Sequence, residues 1–236
     1  MVDALITHPF DPRGSKLSSP EYALYKQLSA MELKRLTELA KLKNVAEKQY
    51  LLTQHSPTTQ VFNLATGIAL IERISSAGRR QVLAFIFPGD FVGLSHSEHY
   101  EYGVKCLTDL SAYAFKKTDF RVLAEEIPQL KKNVSDIGAN VLGRALDQVF
   151  ILGQKKAEER LCFLFMQLLE RLPGSSPELI HLPMTRQDMA DYLGLTVETV
   201  SRALAKLKND GLIAIPSPHY LSIVDIDAVS DLGDIE

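Results

Sequence analysis

Cysteine is nearly missing from this chain: two residues in 236, Cys106 and Cys162. Two thiols cannot build a disulfide framework. No run of 18 apolar residues occurs, so no segment is long enough to cross a bilayer as a helix. The N-terminus lacks the basic-then-apolar order of a signal peptide. Together these absences predict a cytoplasmic protein. A basic excess is missing too, since the net charge is −3. From Lys155 to the end, 8 Lys/Arg stand against 13 Asp/Glu, a net of −5; from Thr185 to Lys208 the figures are 4 and 3, a net of +1. Sequence-independent attraction to phosphate is therefore modest. No His-x-His pair and no Ser–His–Asp arrangement stands out, so neither a cupin-like metal centre nor a hydrolase is expected, and enzyme activity is not predicted.

What is present is a globular composition, 46% apolar and 23% charged, with enough length for one large domain or two small ones. The most informative stretch is Thr185–Gly211, TRQDMADYLGLTVETVSRALAKLKNDG. Thr185 can cap a first helix whose apolar face is Met189, Ala190 and Leu193. Gly194 breaks it, as a residue able to take positive φ. Thr196 can cap a second helix with an inward stripe of Val200, Ala203, Leu204 and Leu207, ended by Asp210-Gly211. Two closely crossing helices need a small residue at the contact, a turn former and a branched apolar plug. Ala190, Gly194 and Val200 meet those needs, which is the helix-turn-helix pattern. The outward residues at the start of the second helix are Val197, Glu198, Ser201 and Arg202. Arginine can bond guanine O6 and N7 together, and glutamate can accept from the cytosine amine.

The segment TRQDMADYLGLTVETVSR resembles the DNA-binding signature of the CRP/FNR transcription regulators, and within them the FNR/FixK branch. That branch carries Glu-x-x-Ser-Arg, here Glu198, Ser201 and Arg202. The cyclic-AMP receptor branch has Arg before the Glu and Gly before the last Arg, where this chain has Val197 and Ser201. KKAEERL, Lys155–Leu161, is also similar to the FNR branch. The similarity runs from about Leu28 to Val224. It implies a homodimer that binds DNA at TTGAT-type half-sites and activates transcription by touching RNA polymerase. Repression from an overlapping site would use the same binding. Arg202 would read guanine, Glu198 its paired cytosine, and Ser201 a thymine or phosphate. Arg186, Thr196 and Thr199 would position the backbone.

The resemblance also poses the question of a cofactor. The FNR protein holds an iron–sulfur cluster through cysteines, three of them N-terminal. This chain has none there and two in all, short of the usual four. Cyclic-AMP binders of the family carry a Gly-Glu pair and a later Arg. The corresponding stretch here is GLSHSEHYEYGVKC, with Leu94 after Gly93 and no Arg between Arg80 and Arg121. A cyclic phosphate would meet no guanidinium. His96 and His99, three apart beside Glu98 and Glu101, are candidate metal or haem ligands, or else part of a polar surface loop. Haem-binding members of the wider family exist, so a haem- or metal-dependent gas or redox sensor is the alternative. Cys106 and Cys162 read as small core residues, with a thiol switch as the other possibility.

The expected fold class is α+β. Residues 1–20, with Pro9, Pro12, Pro20 and Gly14, form a flexible N-terminal segment. Residues 21–127 form a β-roll sensor domain. It contains a helix over Ser29–Leu42 with a Ser29/Glu32 capping box, β-type runs at Val61–Leu64, Ile68–Ile74, Gln81–Phe87 and Ala112–Phe115, and a short helix from Thr118 towards Glu126. The family resemblance makes this a cyclic-nucleotide-binding-like jelly roll, with AGRRQVLAFIFPGDFVGL (Ala77–Leu94) its best-matching segment. Residues 128–154 form the dimerisation helix, in which Pro128–Gly153 spans ~39 Å at 1.5 Å per residue. Leu130, Val134, Ile137, Val141, Ala145, Val149 and Leu152 make a heptad seam with one stutter, expected to be a dimer interface, with Asp147 near it. Residues 155–236 form a winged helix-turn-helix. Ala157–Arg171 is its first helix, Leu179–Leu182 a short strand, and Leu212–Ile215 and Tyr220–Val224 the wing. Ser217 and His219 at the wing tip can reach phosphate, or else form an ordinary exposed turn.

Overall fold

The computed structural model describes residues 23–234. The predicted flexible segment 1–20 lies outside them. A 3-10 turn at Ala23–Tyr25 leads into α1 (Ala30–Leu39). Ser29 caps α1: its hydroxyl accepts from the Glu32 amide, and the Glu32 carboxylate accepts from the Ser29 amide at 2.8 Å. The helix stops three residues earlier than its apolar pattern suggests. Ala40 turns extended, and Lys41–Val45 becomes β1, an exposed strand paired antiparallel with β8 (Leu110–Lys116).

Two four-stranded antiparallel sheets follow, packed face to face as a jelly roll. One has the order β1-β8-β3-β6, with β3 at Gln60–Thr66 and β6 at Phe91–Val92. The other has the order β2-β7-β4-β5, from Tyr50–Leu52, Gly103–Cys106, Ala69–Ile74 and Arg80–Ile86. Phe62, Leu64, Ala69, Val104, Ala112 and Cys106 fill the space between the sheets. Gly67 joins β3 to β4 at φ +85°, where a Cβ would stand 2.3 Å from the Asp109 carbonyl oxygen. A side chain there is both conformationally strained and sterically blocked. Gly67→Ala should cost on the order of 3 kcal/mol, read as a lower urea midpoint at unchanged slope.

α2 (Lys117–Glu126) and α3 (Pro128–Gln154) leave the roll. Pro128 occupies the first turn of α3, where its missing N–H has no acceptor to lose. The expected single seam on α3 is corrected by the packing. Leu130 and Ile137 are buried in the protomer's own sensor core with Phe115, Phe120 and Leu123, and Val134 packs against the same cluster. Asn133 is buried there too and donates to the carbonyls of Leu24 and Lys26 at 3.0 and 2.8 Å. Beyond Ile137 the helix leaves the roll, and its apolar residues turn outward. Val141, Leu142, Ala145, Leu146, Val149 and Phe150 are exposed. Ile151 is fully buried, and Leu152 is half-buried and lies against the Gly194 turn. A heptad reading assigns one partner to the whole helix; here its first three turns pack on the protomer's own roll, and the apolar side chains from Val141 to Phe150 are left exposed. Asp147 is half-buried and close enough to Tyr192 of its own chain to act on that phenol.

The C-terminal domain packs α4 (Ala157–Arg171), α5 (Arg186–Leu193) and α6 (Val197–Asn209) with a three-stranded sheet of order β10-β11-β9. These strands are Ile213–Ser217, Tyr220–Ile223 and Ile180–His181. A further helix, α7 (Ile226–Gly233), lies on α4; its Gly233 approaches so closely that a Cβ would sit 2.9 Å from the Phe163 amide nitrogen. No described helix is long and apolar enough to cross a membrane.

Candidate nucleic-acid interface

The α5–α6 pair is set by its termini. Thr185 caps α5 in a capping box: its hydroxyl accepts from the Asp188 amide at 3.1 Å, and Asp188 Oδ2 accepts from the Thr185 amide at 2.9 Å. Burial works against the Asp188 charge, but the Thr185 bonds and the nearby Arg80 outweigh it and hold the carboxyl below its ordinary range. Gly194 ends α5 in the left-handed region at φ +62°. Thr196 caps α6, its oxygen accepting from the Thr199 amide at 3.2 Å. Ala190 and Val200 are both fully buried where the helices cross. Val200, Ala203, Leu204 and Leu207 then form the inward stripe of α6.

The opposite face of α6 is open. Glu198, Ser201 and Arg202 are exposed, together with Thr196, while Thr199 is half-buried. Glu198 is held ionised below its usual range, first by the helix-end amide, then by Thr196 and by Arg202 four residues on. Ser201 donates to the Val197 carbonyl at 2.9 Å. This settles the hydroxyl proton inside the helix and leaves the oxygen outward as an acceptor. The Arg202 Nη2 leans on the Thr199 hydroxyl at 3.4 Å, a weak restraint that leaves most of the guanidinium free. Lys206, one turn further, is paired to Glu158 of α4 at 3.0 Å. Arg186 is less available than the other predicted contacts: it is half-buried, and its Nη1 contacts the Met189 sulfur at 3.3 Å. Burial pulls its proton affinity down. At the wing, His219 is exposed and Ser217 half-buried, and the His219 carbonyl accepts from the Leu182 amide at 2.8 Å.

Sequence reasoning missed the joint behind this face. The Arg160 guanidinium donates to three backbone carbonyls: Lys155 and Leu193 at 2.8 Å and Leu152 at 2.9 Å. One side chain thereby ties the end of α3 and the start of α4 to the end of α5. Backbone acceptors carry no sequence signal, so nothing announced it.

In the sensor domain, two tyrosines of the Gly93–Cys106 stretch bond backbone groups of the roll. Tyr100 is buried and bonds both polar backbone groups of Gln60, at 2.6 and 3.1 Å. The Tyr102 hydroxyl accepts from the Gly93 amide at 3.1 Å. His96 and His99 are exposed on the loop between Gly93 and Tyr100, and no cluster of three His, Cys, Asp or Glu side chains suited to a metal occurs among the described residues. Cys106 and Cys162 are buried; burial pushes their thiols up to about 11 and about 12. Burial of this kind disfavours the thiolate, the form in which a cysteine reacts.

Residues 42–126 match the model of the cyclic nucleotide-binding domain, and residues 159–232 that of the Crp-like helix-turn-helix domain. The chain is 33% identical over 196 residues to the nitrogen fixation regulation protein FixK of Bradyrhizobium diazoefficiens, covering 82% of each chain. It is 32% identical over 206 residues to the transcriptional activatory protein AadR of Rhodopseudomonas palustris, covering 86% of this chain and 85% of that one. Among solved structures it is similar to FixK2 from Bradyrhizobium japonicum, with 28% identity, a TM-score of 0.78, and coverage of 84% of this chain and 98% of the other.

Proposed function

The chain belongs to the CRP/FNR family of transcription regulators, and on that premise we propose that it is a homodimeric activator that reads a TTGAT-like inverted repeat. The observation that carries this reading is the open face of α6, where Glu198 and Arg202 stand four residues apart with nothing covering them. Arg202 reads guanine and Glu198 the paired cytosine; the outward oxygen of Ser201 meets a neighbouring base amine or its Cβ a thymine methyl. Thr196, Thr199 and Arg186, the last after swinging off Met189, contact phosphates.

The exposed stripe Val141–Phe150 supports the dimer. Six apolar or small side chains on two adjacent rows of one helix are left open in the protomer, and a second copy of the same stripe is a self-complementary cover for them. Two recognition helices then enter successive major grooves about 34 Å apart. Contact with RNA polymerase completes the activator role. We place no cyclic nucleotide, iron–sulfur cluster or haem in this function: the protein is active as made. Support comes from the lack of an Arg between Arg80 and Arg121, the two tyrosines whose hydroxyls are bonded to backbone in the Gly93–Cys106 stretch, and the two buried thiols.

The test is fluorescence-anisotropy titration of the purified protein into a TTGAT-N4-ATCAA duplex and a scrambled duplex at fixed salt. Tight, selective binding with nothing added is expected. Weak binding without preference overturns the reading.

A further inference from the structure

One partly buried charge network has no part in the function so far. Arg80 opens β5 on the sensor roll, and its guanidinium reaches three carboxylates. Its Nε donates to Glu72 of β4 at 2.6 Å, its Nη1 to Asp191 at 2.7 Å, and its Nη2 lies 2.8 Å from Asp188. The last contact is ionic, without the alignment of a hydrogen bond. Glu72 is buried and takes a further bond from the Tyr50 hydroxyl. Asp188 and Asp191 belong to α5, and Asp188 is the residue that completes its N-terminal cap. Next to Arg80, the Gln81 side chain donates to the Asp191 carbonyl. One cation thus holds three anions together across the boundary between the roll and the helix-turn-helix.

At a second point the same boundary carries a pairing of opposite sense. Asp90, in the turn after β5, accepts from Arg171 of α4 at 2.7 and 2.8 Å, and Arg144 of α3 lies 3.7 Å away. The Arg171 guanidinium also stacks over Phe87 at 4.7 Å. Apolar contact joins the two domains as well, with Phe85 against Tyr192 at 5.0 Å between ring centres. Reciprocal charges flanking an apolar contact fix an orientation, because a rotated domain would face like charges.

We propose that Arg80 is a positioning residue for DNA readout: it fixes the stance of α5, and with it the packed α6, on the sensor roll, so that both recognition helices of a dimer meet their half-sites together. This rests on the dimeric reading above. Without Arg80, three carboxylates face one another in a partly dry space. α5 is then pushed off the roll and the two α6 helices lose their fixed separation. Binding of the second half-site depends on that separation through its effective concentration, whereas binding of one half-site does not.

The experiment compares wild-type chain, Arg80→Gln, Arg80→Lys and Asp191→Asn on two duplexes at fixed salt. One is TTGAT-N4-ATCAA; the other keeps a single half-site. Arg80→Gln should bind the full repeat about tenfold more weakly and the half-site within about twofold of wild type. Asp191→Asn, which leaves the Thr185–Asp188 cap intact, should move the same way by less. Arg80→Lys should recover part of the loss, since it keeps the charge without the fork that spans three partners. Equal losses on both duplexes would mean that the residue merely supports folding and would overturn the inference; so would unchanged or tighter binding of the full repeat. Should wild type itself show no preference for the repeat, the dimeric reading fails separately. The clamp is then judged by amide exchange over residues 186–193, which must quicken in Arg80→Gln relative to residues 157–171; unchanged exchange overturns it.

Discussion

Arg202→Ala loses about 1–3 kcal/mol of binding free energy for each half-site and relaxes base choice at the position it reads. With two half-sites engaged, the summed loss of about 2–6 kcal/mol lowers affinity for the repeat by about 30-fold to more than 10⁴-fold. The size follows from the availability of the side chain. Its guanidinium has one weak internal restraint, to Thr199 at 3.4 Å, and is otherwise open to a guanine edge. Lys206 offers a control on the same helix, because it is already paired with Glu158, and its loss should matter far less. Arg202→Lys separates charge from geometry: an ammonium keeps the phosphate attraction but cannot bond O6 and N7 together. It should bind random DNA like wild type and lose most of the selectivity. Anisotropy titrations of the repeat against single-base variants measure this. Equal weakening on specific and random DNA would refute base reading by Arg202.

Leu146→Glu combined with Val149→Glu leaves a folded monomer that binds the repeat at least about 100-fold more weakly than wild type. In the protomer these side chains are 60% and 68% exposed, so the substitutions touch no core. In the proposed dimer they bring four carboxylates to a two-fold axis. Four buried aliphatic side chains contribute about 6–12 kcal/mol of transfer free energy, and burying unpaired charge in their place adds a further penalty. Sedimentation velocity should give the monomer mass of 26.3 kDa, with the melting of the roll unchanged. A dimer that survived both charges would place the interface elsewhere. Ile137→Ala is the contrasting case. Ile137 sits in the sensor core, so its truncation should lower stability by about 2–5 kcal/mol before it affects association.

The helix-turn-helix was legible because its determinants are local. Thr185 with Asp188, Gly194 and Thr196 each act within four residues of their own position, and a reader of sequence sees both partners at once. The long strands of the roll were legible for the same reason, through alternation and flanking glycines. The shorter strands were not. β1 is mostly exposed and follows a helix without punctuation, and its partner β8 lies some seventy residues on. β6 spans two residues, and its pairing with Phe62 and Asn63 decides its state rather than its own composition. On α3 the heptad count was sound as a count, but periodicity cannot tell a side chain covered by its own roll from one awaiting a partner. The Arg80 network was out of reach altogether: its two α5 carboxylates lie more than a hundred residues downstream. Arginine, aspartate and glutamate on amphipathic elements look alike whether solvated or paired.

The Arg160 joint carries an implication for how this chain tolerates change. Its three acceptors are main-chain oxygens, present whatever side chains occupy positions 152, 155 and 193. A change of side chain at those positions leaves the three acceptors in place, although Leu152 and Leu193 also pack at this joint. The three bonds depend on one residue, Arg160; beside them Gln148 of α3 donates to the Tyr192 carbonyl at 2.8 Å. Lysine cannot substitute, because its donors sit on one nitrogen whereas the three acceptors are met by three separate guanidinium nitrogens. Among sequences descended from a common ancestor with this one, arginine here should persist long after its neighbours have been replaced.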